Sequence, residues 1–508
     1  MNLNPDPNAA AGAPRVIPRS EHPVSRSNIS PNALRVLYRL KEAGFEAFLV
    51  GGCVRDIILG RHPKDFDVAT DALPDEVRRL FRNCRLVGRR FRLAHIVYGR
   101  DVIEVATFRA ASAPPPSEEP VPIREEDEAE LLAREQASQD DSAAEGGDAL
   151  EITQPLEVIR SPDAAPAPRR DAGGVRHRVQ DDHGRLLRDN IYGSIDEDVW
   201  RRDFTVNALY YNIADFSIWD YVGGLADIKA RRLRLIGDVE TRYREDPVRM
   251  LRAARFEAKL GFEIDEASAK PIVQLRGLLA SVPPARLVDE TTKLFLTGHG
   301  AESYRVLRQR GLFAALFPAV DRYLDKHPGG LVEQLLVQGL RNTDRRVDED
   351  KPVTPTFLFS LLLYGPIAAE IEALPPQRWH EPQAILEACD RALREAQQRI
   401  SIPRRIALGV REMYALQPRL EGPRGRRALR LLEQPRFRAA FDLLTLRAAL
   451  GLADPATAEW WTTLQAASPA EREQMVEAAP GASRASGTAA GANPGAPRRR
   501  RRRSRGGG

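Results

Sequence analysis

Two kinds of hydrophobic spacing divide this chain. In the first half, apolar residues fall in short runs or at every second position, with turn residues between them. Phe48, Leu49 and Val50 form one such run, Asp65-Phe66-Asp67-Val68 alternates with Phe66 turned to the core, and 85–87, 95–98 and 102–108 repeat the strand pattern. Helices are expected between them. Ser30-Pro31 supplies a cap and first turn for Leu34, Leu37 and Leu40, which Gly44 ends, and further helices are expected at 54–59 and 74–81. The segments 204–212, 217–221 and 233–236 read as later elements of the same layer. From 244 to about 464 the period changes to that of helices, with candidates at 247–260, 285–296, 301–309, 331–340, 356–363 and, after a break at Pro435, 436–450. The expected fold is therefore α+β: a head with a mixed sheet, followed by an all-helical second half.

Three segments depart from both periods. Residues 1–27 are rich in Asn, Pro and Ala, 110–175 carries a triple proline and acidic clusters, and 476–508 is rich in Gly, Ala, Ser and Arg; all three are expected to be disordered. The net charge of +5 over 508 residues conceals how charge is distributed. Arg498, Arg499, Arg500, Arg501, Arg502, Arg503 and Arg505 contribute +7, while 118–163 carries 15 acidic and 3 basic residues, which leaves +10 for the remainder. A basic folded part with an arginine tail suits a polyanionic partner, though a plain solvated surface has the same signature. Cys53, Cys84 and Cys389 are too few and too scattered for a disulfide framework or a zinc site. The chain has no apolar run of 18 residues and its N-terminus has no secretory core, so no membrane association is expected and the expected compartment is the cytoplasm.

The candidate chemistry begins at Gly51 and Gly52, which follow the first strand and let the backbone approach a phosphate at the start of a helix. A strand through Asp65 and Asp67 would put both carboxylates on one face, about 7 Å apart, where they could share hard cations such as Mg2+; the alternative is a surface turn after Pro63. Glu104, in the alternating segment IEVATF, is either a third ligand or a solvent-facing glutamate. Two-metal carboxylate sites of this kind serve nucleotidyl transfer. Arg55 would hold a phosphate oxygen, or Arg55 and Asp56 would pair with neighbouring strands, and Arg202 or Asp203 would contact sugar or phosphates or form a surface pair. Asp246 and Arg249, three apart at a helix start, present an acceptor beside a donor fork able to read a base, or form a simple helix salt bridge. Arg252 and Arg255 extend that face toward phosphate or solvent.

The segments LVGGCVRD, KDFDV, IEVATFR, RRDFTVNALYY, DYVGGLADI and REDPVRMLRAARFEAKLGF together resemble the class II nucleotidyltransferases of the polymerase beta superfamily, which comprise bacterial poly(A) polymerases and CCA-adding enzymes. The resemblance implies a polymerase-beta-like nucleotidyltransferase head at 28–240, a neck at 241–310 that binds nucleotide and RNA, and a helical body and tail at 311–475. It implies catalytic roles for Asp65, Asp67 and Asp203, with Asp65, Asp67 and Glu104 on two Mg2+ ions. Arg202 would meet the nucleotide, and Asp246 and Arg249 would read the incoming base. The segment RNCRLVGRRFRLAHIVYG and the arginine tail resemble the poly(A) branch, and no His-Asp dipeptide of an appended phosphohydrolase occurs. The implied partners are ATP as substrate and an RNA 3′ end, with the tail open to protein partners in RNA decay. A CCA-adding enzyme acting on tRNA, and a non-catalytic RNA-binding scaffold, are the alternatives.

Overall fold

Strands β1 (Arg15–Ile17), β2 (Ala47–Val50), β3 (Asp67–Thr70), β4 (Cys84–Val87), β5 (Leu93–Tyr98), β6 (Asp101–Thr107), β9 (Leu209–Asn212) and β10 (Ile218–Asp220) pair in the order β1-β10-β9-β2-β3-β6-β5-β4. They come from a computed structural model, which describes residues 13–88, 92–110, 178–180, 186–189, 192–379, 381–422 and 425–479. The acidic insertion from 111 and the arginines at 498–503 and 505 lie outside these residues. Every pairing in the eight-stranded sheet is antiparallel except β3 with β6, so the sheet is mixed as expected. That one parallel pair puts Asp67 in register with Glu104. Two strands separate from this sheet, β7 (Arg178–Gln180) and β8 (Leu186–Asp189), form a small antiparallel ladder.

The sheet's core follows from the apolar runs. Phe48, Leu49, Val50, Val68, Ile96, Val105 and Leu209 are buried, and helix Pro31–Glu42, which packs on β2, β3 and β6, adds Ala33, Val36, Leu37 and Leu40 to the core. The Ser30 hydroxyl caps that helix by accepting from the Ala33 N–H at 3.1 Å. Within residues 1–27, expected to be disordered, 13–27 are instead built in: β1 extends the sheet beside β10, and Ile17 and Val24 are buried. A three-residue strand between prolines has too few positions to show a period of two.

Contacts divide the described residues into two units, one of those up to 180 with 186–202 and 207–224, the other of 203–206 with those from 225 to 479. The division thus falls earlier than the head boundary expected at 240. In the second unit β11 (Arg232–Leu233) pairs in parallel with β12 (Glu263–Ile264), and Phe204 bridges Leu235. The rest is helical from Val239 to Ala478, through Val248–Leu260, Pro284–Phe295, Leu331–Asp348, Pro382–Gln397, Arg404–Glu421 and Phe437–Ala449 among others. Near its end Leu420, Phe437, Phe441, Leu444, Trp461 and Val476 form one apolar cluster, with the Trp461 indole N–H donating to the Leu420 carbonyl at 2.9 Å. Among the described residues no helix is long and apolar enough to cross a membrane.

Candidate active site

In the first unit the chain leaves β2 through Gly51, whose φ of +83° and ψ of −139° exclude ordinary side chains. Helix Gly52–Ile58 begins directly after it. A Cβ at Gly51 would lie 3.6 Å from Asp67 Oδ2 and 3.9 Å from Arg202 Nη1, so this turn stands against both charged groups. Arg55, expected on a phosphate or paired with a neighbouring strand, meets Asp56 of its own helix. Its side chain is 2% exposed, donates to Asp56 Oδ1 from Nε at 2.9 Å and Nη2 at 2.7 Å, and bonds the Asn207 side chain.

Strand β3 starts at Asp67, two residues later than the expected strand, because β2 ends at Val50 opposite Asp67 and leaves Asp65 and Phe66 without a ladder partner there. Asp65 is therefore an exposed loop residue, while Phe66 is buried as expected. Asp67 is partly buried at the strand edge. Burial raises its carboxyl from 3.8 to about 6, the neighbouring Glu104 and Asp65 push the same way, and Arg202 opposes them. Burial and Asp67 likewise push the Cys53 thiol up to about 12, and its S–H donates to the Val50 carbonyl at 3.2 Å. The Glu104 side chain is exposed and lies 3.6 Å from His95 Nε2, a neighbour on β5 that sequence spacing did not single out.

These carboxylates suit a hard divalent cation in their donor chemistry, and Asp67 holds its proton more tightly than usual because it is buried and because Glu104 and Asp65 lie near it, even against the Arg202 charge. Among the described residues, however, no three His, Cys, Asp or Glu side chains lie as a closed ligand group. Asp67 and Glu104 are the pair that strand register brings side by side, and the charge of Asp65 acts on Asp67 from the loop.

Arg202 follows helix Ile195–Arg201 as its C-cap. It donates from Nε to Asp198 Oδ2 at 3.2 Å and to the Tyr210 hydroxyl oxygen at 2.6 Å, and from Nη2 to Asp198 Oδ2 at 3.1 Å. The Tyr210 hydroxyl donates to the same Asp198 oxygen at 2.8 Å. Burial works against the Arg202 charge, but Tyr210 and Asp198 more than offset it and the guanidinium is held firmly protonated. Neither Asp198 nor Tyr210 was singled out in the sequence; the i,i+4 spacing of Asp198 and Arg202 was the available signal.

In the second unit Asp203 and Arg252, 49 residues apart, form a forked pair with Nε to Oδ2 at 2.8 Å. Asp246 accepts from both ends of the Arg286 guanidinium, at 2.8 and 2.7 Å. Arg249 donates to Glu245 Oε2 at 3.1 Å and to the Arg242 carbonyl at 2.7 Å. Both expected base-reading residues are thus held by neighbours. Arg286 was not anticipated, since it lies 40 positions beyond Asp246.

Three family descriptions match the chain in order: "Poly A polymerase head domain" over 47–234, "Probable RNA and SrmB- binding site of polymerase A" over 261–324, and "Polymerase A arginine-rich C-terminus" over 377–506. Poly(A) polymerase I of Salmonella typhi is 43% identical over 466 residues, covering 91% of this chain and 88% of that protein. A CCA-adding enzyme of Lactobacillus delbrueckii subsp. bulgaricus is 29% identical over 286 residues, covering 56% of this chain and 55% of that protein. Among solved structures, a tRNA-processing enzyme in an apo form shares the fold with a TM-score of 0.51 at 20% identity, over 87% of this chain and 99% of that one. With all three matches in sequence and a relative aligned along nine-tenths of its length, this chain belongs to the bacterial poly(A) polymerase family and is a nucleotidyltransferase.

Proposed function

We propose that the chain is a template-independent poly(A) polymerase that adds AMP from ATP to RNA 3′ ends, acting in the cytoplasm in mRNA processing and RNA decay. The observation that carries this reading is the strand register that sets Asp67 beside Glu104, with Asp67 and Arg202 both at the Gly51 turn, in a chain similar to a poly(A) polymerase I along 91% of its length. Asp65, Asp67 and Glu104 would hold two Mg2+ ions. When bound, such ions lower the pKa of an attacking hydroxyl and neutralise charge on the leaving pyrophosphate.

The other roles fall to the chain's own residues. Gly51 and Gly52 let the triphosphate approach the backbone, and Arg202 supplies a fixed positive charge for it. Asp246 and Arg249 offer an acceptor and a donor fork to the base, with Arg286 fixing the carboxylate. Arg252 orients Asp203 for the nucleotide. We assign the head up to residue 240, including β1 and the segment that leads into residue 28, with 241–310 as the neck and 311–475 as body and tail. The arginines at 498–503 and 505 would track RNA phosphates and leave room for protein partners.

The poly(A) branch is favoured over CCA addition because similarity to the Salmonella enzyme runs along 91% of the chain, against 56% for the Lactobacillus CCA-adding enzyme. Incubation of the purified protein with unstructured RNA and with tRNA lacking its 3′ end, each with single nucleotides, tests the choice. Extension of both RNAs by ATP is expected, whereas CTP addition confined to tRNA would overturn the reading.

A further inference from the structure

We infer that Asp198 and Tyr210 are positioning residues that hold the Arg202 guanidinium at the Gly51 turn, beside Asp67, as the cation that meets the nucleotide triphosphate. The inference rests on the proposed role of Arg202 and adds how that role is secured.

Three separate segments converge on one arginine. Asp198 lies on helix Ile195–Arg201, whose start is fixed by the Ser194 capping box, and i,i+4 spacing sets its carboxylate under Arg202. The other oxygen of that carboxylate, Oδ1, accepts the Arg109 backbone N–H at 3.2 Å, which anchors it to the chain just beyond β6. Tyr210 is fully buried on β9, and its register partner on β2 is Val50, the residue before Gly51. Burial holds the Tyr210 hydroxyl well above its usual range, so it keeps its proton, donates it to Asp198 Oδ2 and accepts from Arg202 Nε.

Geometry then gives the arginine a direction. Nε and Nη2 are engaged by Asp198 and Tyr210, and Nη1 is the atom that approaches the Gly51 turn, 3.9 Å from where a Cβ would stand. A long arginine side chain loses much rotamer freedom when it binds a ligand. Fixing it beforehand on two hydrogen-bonded edges leaves less ordering for the incoming nucleotide to impose. Asp198 also keeps the guanidinium charged in a partly dry setting, where a phosphate contact is strongest.

The test is a double-substitution cycle on steady-state kinetics, with ATP varied and an oligoadenylate primer held saturating. Tyr210→Phe keeps the ring and removes only the hydroxyl. We expect it to raise KM for ATP about tenfold with kcat changed less than about threefold, because the loss falls on binding and not on the reacting groups. Asp198→Asn should act in the same direction, with Asp198→Glu recovering part of the loss. In an Arg202→Gln background, Tyr210→Phe should add less than about a twofold change, since the residue it acts through is gone. Equal effects in both backgrounds would overturn the inference, as would an unchanged KM in Tyr210→Phe alongside a raised KM in Arg202→Gln. If Arg202→Gln itself leaves KM unchanged, the triphosphate role fails and the inference falls with it. Should the double variant not fold, the rise in melting temperature on adding ATP to Tyr210→Phe decides: a reduced rise supports the positioning role, and a wild-type rise refutes it.

Discussion

Replacing Asp67 with Asn should make the metal-free protein more stable while abolishing nucleotide addition. The side chain is partly buried, and its carboxyl is raised from 3.8 to about 6 by burial, Glu104 and Asp65. A carboxyl that holds its proton more tightly in the folded state than in the unfolded one costs stability as the pH rises through that interval and costs a constant amount above it. About two units at roughly 1.4 kcal/mol each give at most about 3 kcal/mol near pH 7.5. Asparagine keeps the shape without the charge, and Arg202 retains Asp198 as its counter-ion. For a unit of this size the gain corresponds to a rise on the order of 5–10 °C in the melting temperature. The assay is calorimetry in chelator at pH 7.5 and pH 5. At the lower pH the wild-type carboxyl is largely protonated, so the advantage of Asp67→Asn should fall to about half. A destabilised Asp67→Asn protein at pH 7.5, or an advantage that does not shrink at pH 5, would refute the argument.

Three further outcomes are expected. Gly51→Ala forces a side chain into a conformation that costs about 1–3 kcal/mol and adds a methyl 3.6 Å from Asp67 Oδ2, so both the melting temperature and kcat/KM should fall, as read by calorimetry and primer extension. Arg286→Ala removes both hydrogen bonds to Asp246; losing that charged orientation, worth about 1.5–3 kcal/mol, should cut the preference for ATP over CTP by about 10- to 100-fold in competition assays. Removing 480–508 should flatten the dependence of log RNA affinity on log salt by about 0.7 for every phosphate that the tail's arginines contact, measured by filter binding.

Much of the head was legible from local spacing. The run Phe48 to Val50 and the alternation in IEVATF gave β2 and β6, and the two-glycine turn gave the start of the following helix. What local spacing could not give was which residues meet across the fold. Asp67 and Glu104 become neighbours only because β3 and β6 pair in parallel, and Asp65 leaves the strand because β2 ends opposite Asp67. The partner of Asp246 lies 40 residues away and that of Asp203 lies 49 away, beyond any helical or strand period. The contacts that bury Arg55, with Asp56 on its own helix and with the Asn207 side chain 152 residues on, were not legible from spacing either. β1 escaped detection because its place is set by β10, some 200 residues later.

If the proposed function is right, the Asp65 and Asp67 carboxylates serve transfer of AMP to RNA. The most direct test compares the wild type with Asp65→Ala and Asp67→Ala in extension of a labelled oligoadenylate by ATP and Mg2+, with binding of the same RNA measured in parallel. The wild type should give an ATP-dependent ladder and neither variant any, with RNA affinity unchanged within about twofold. Undiminished extension by Asp67→Ala would contradict the proposed function.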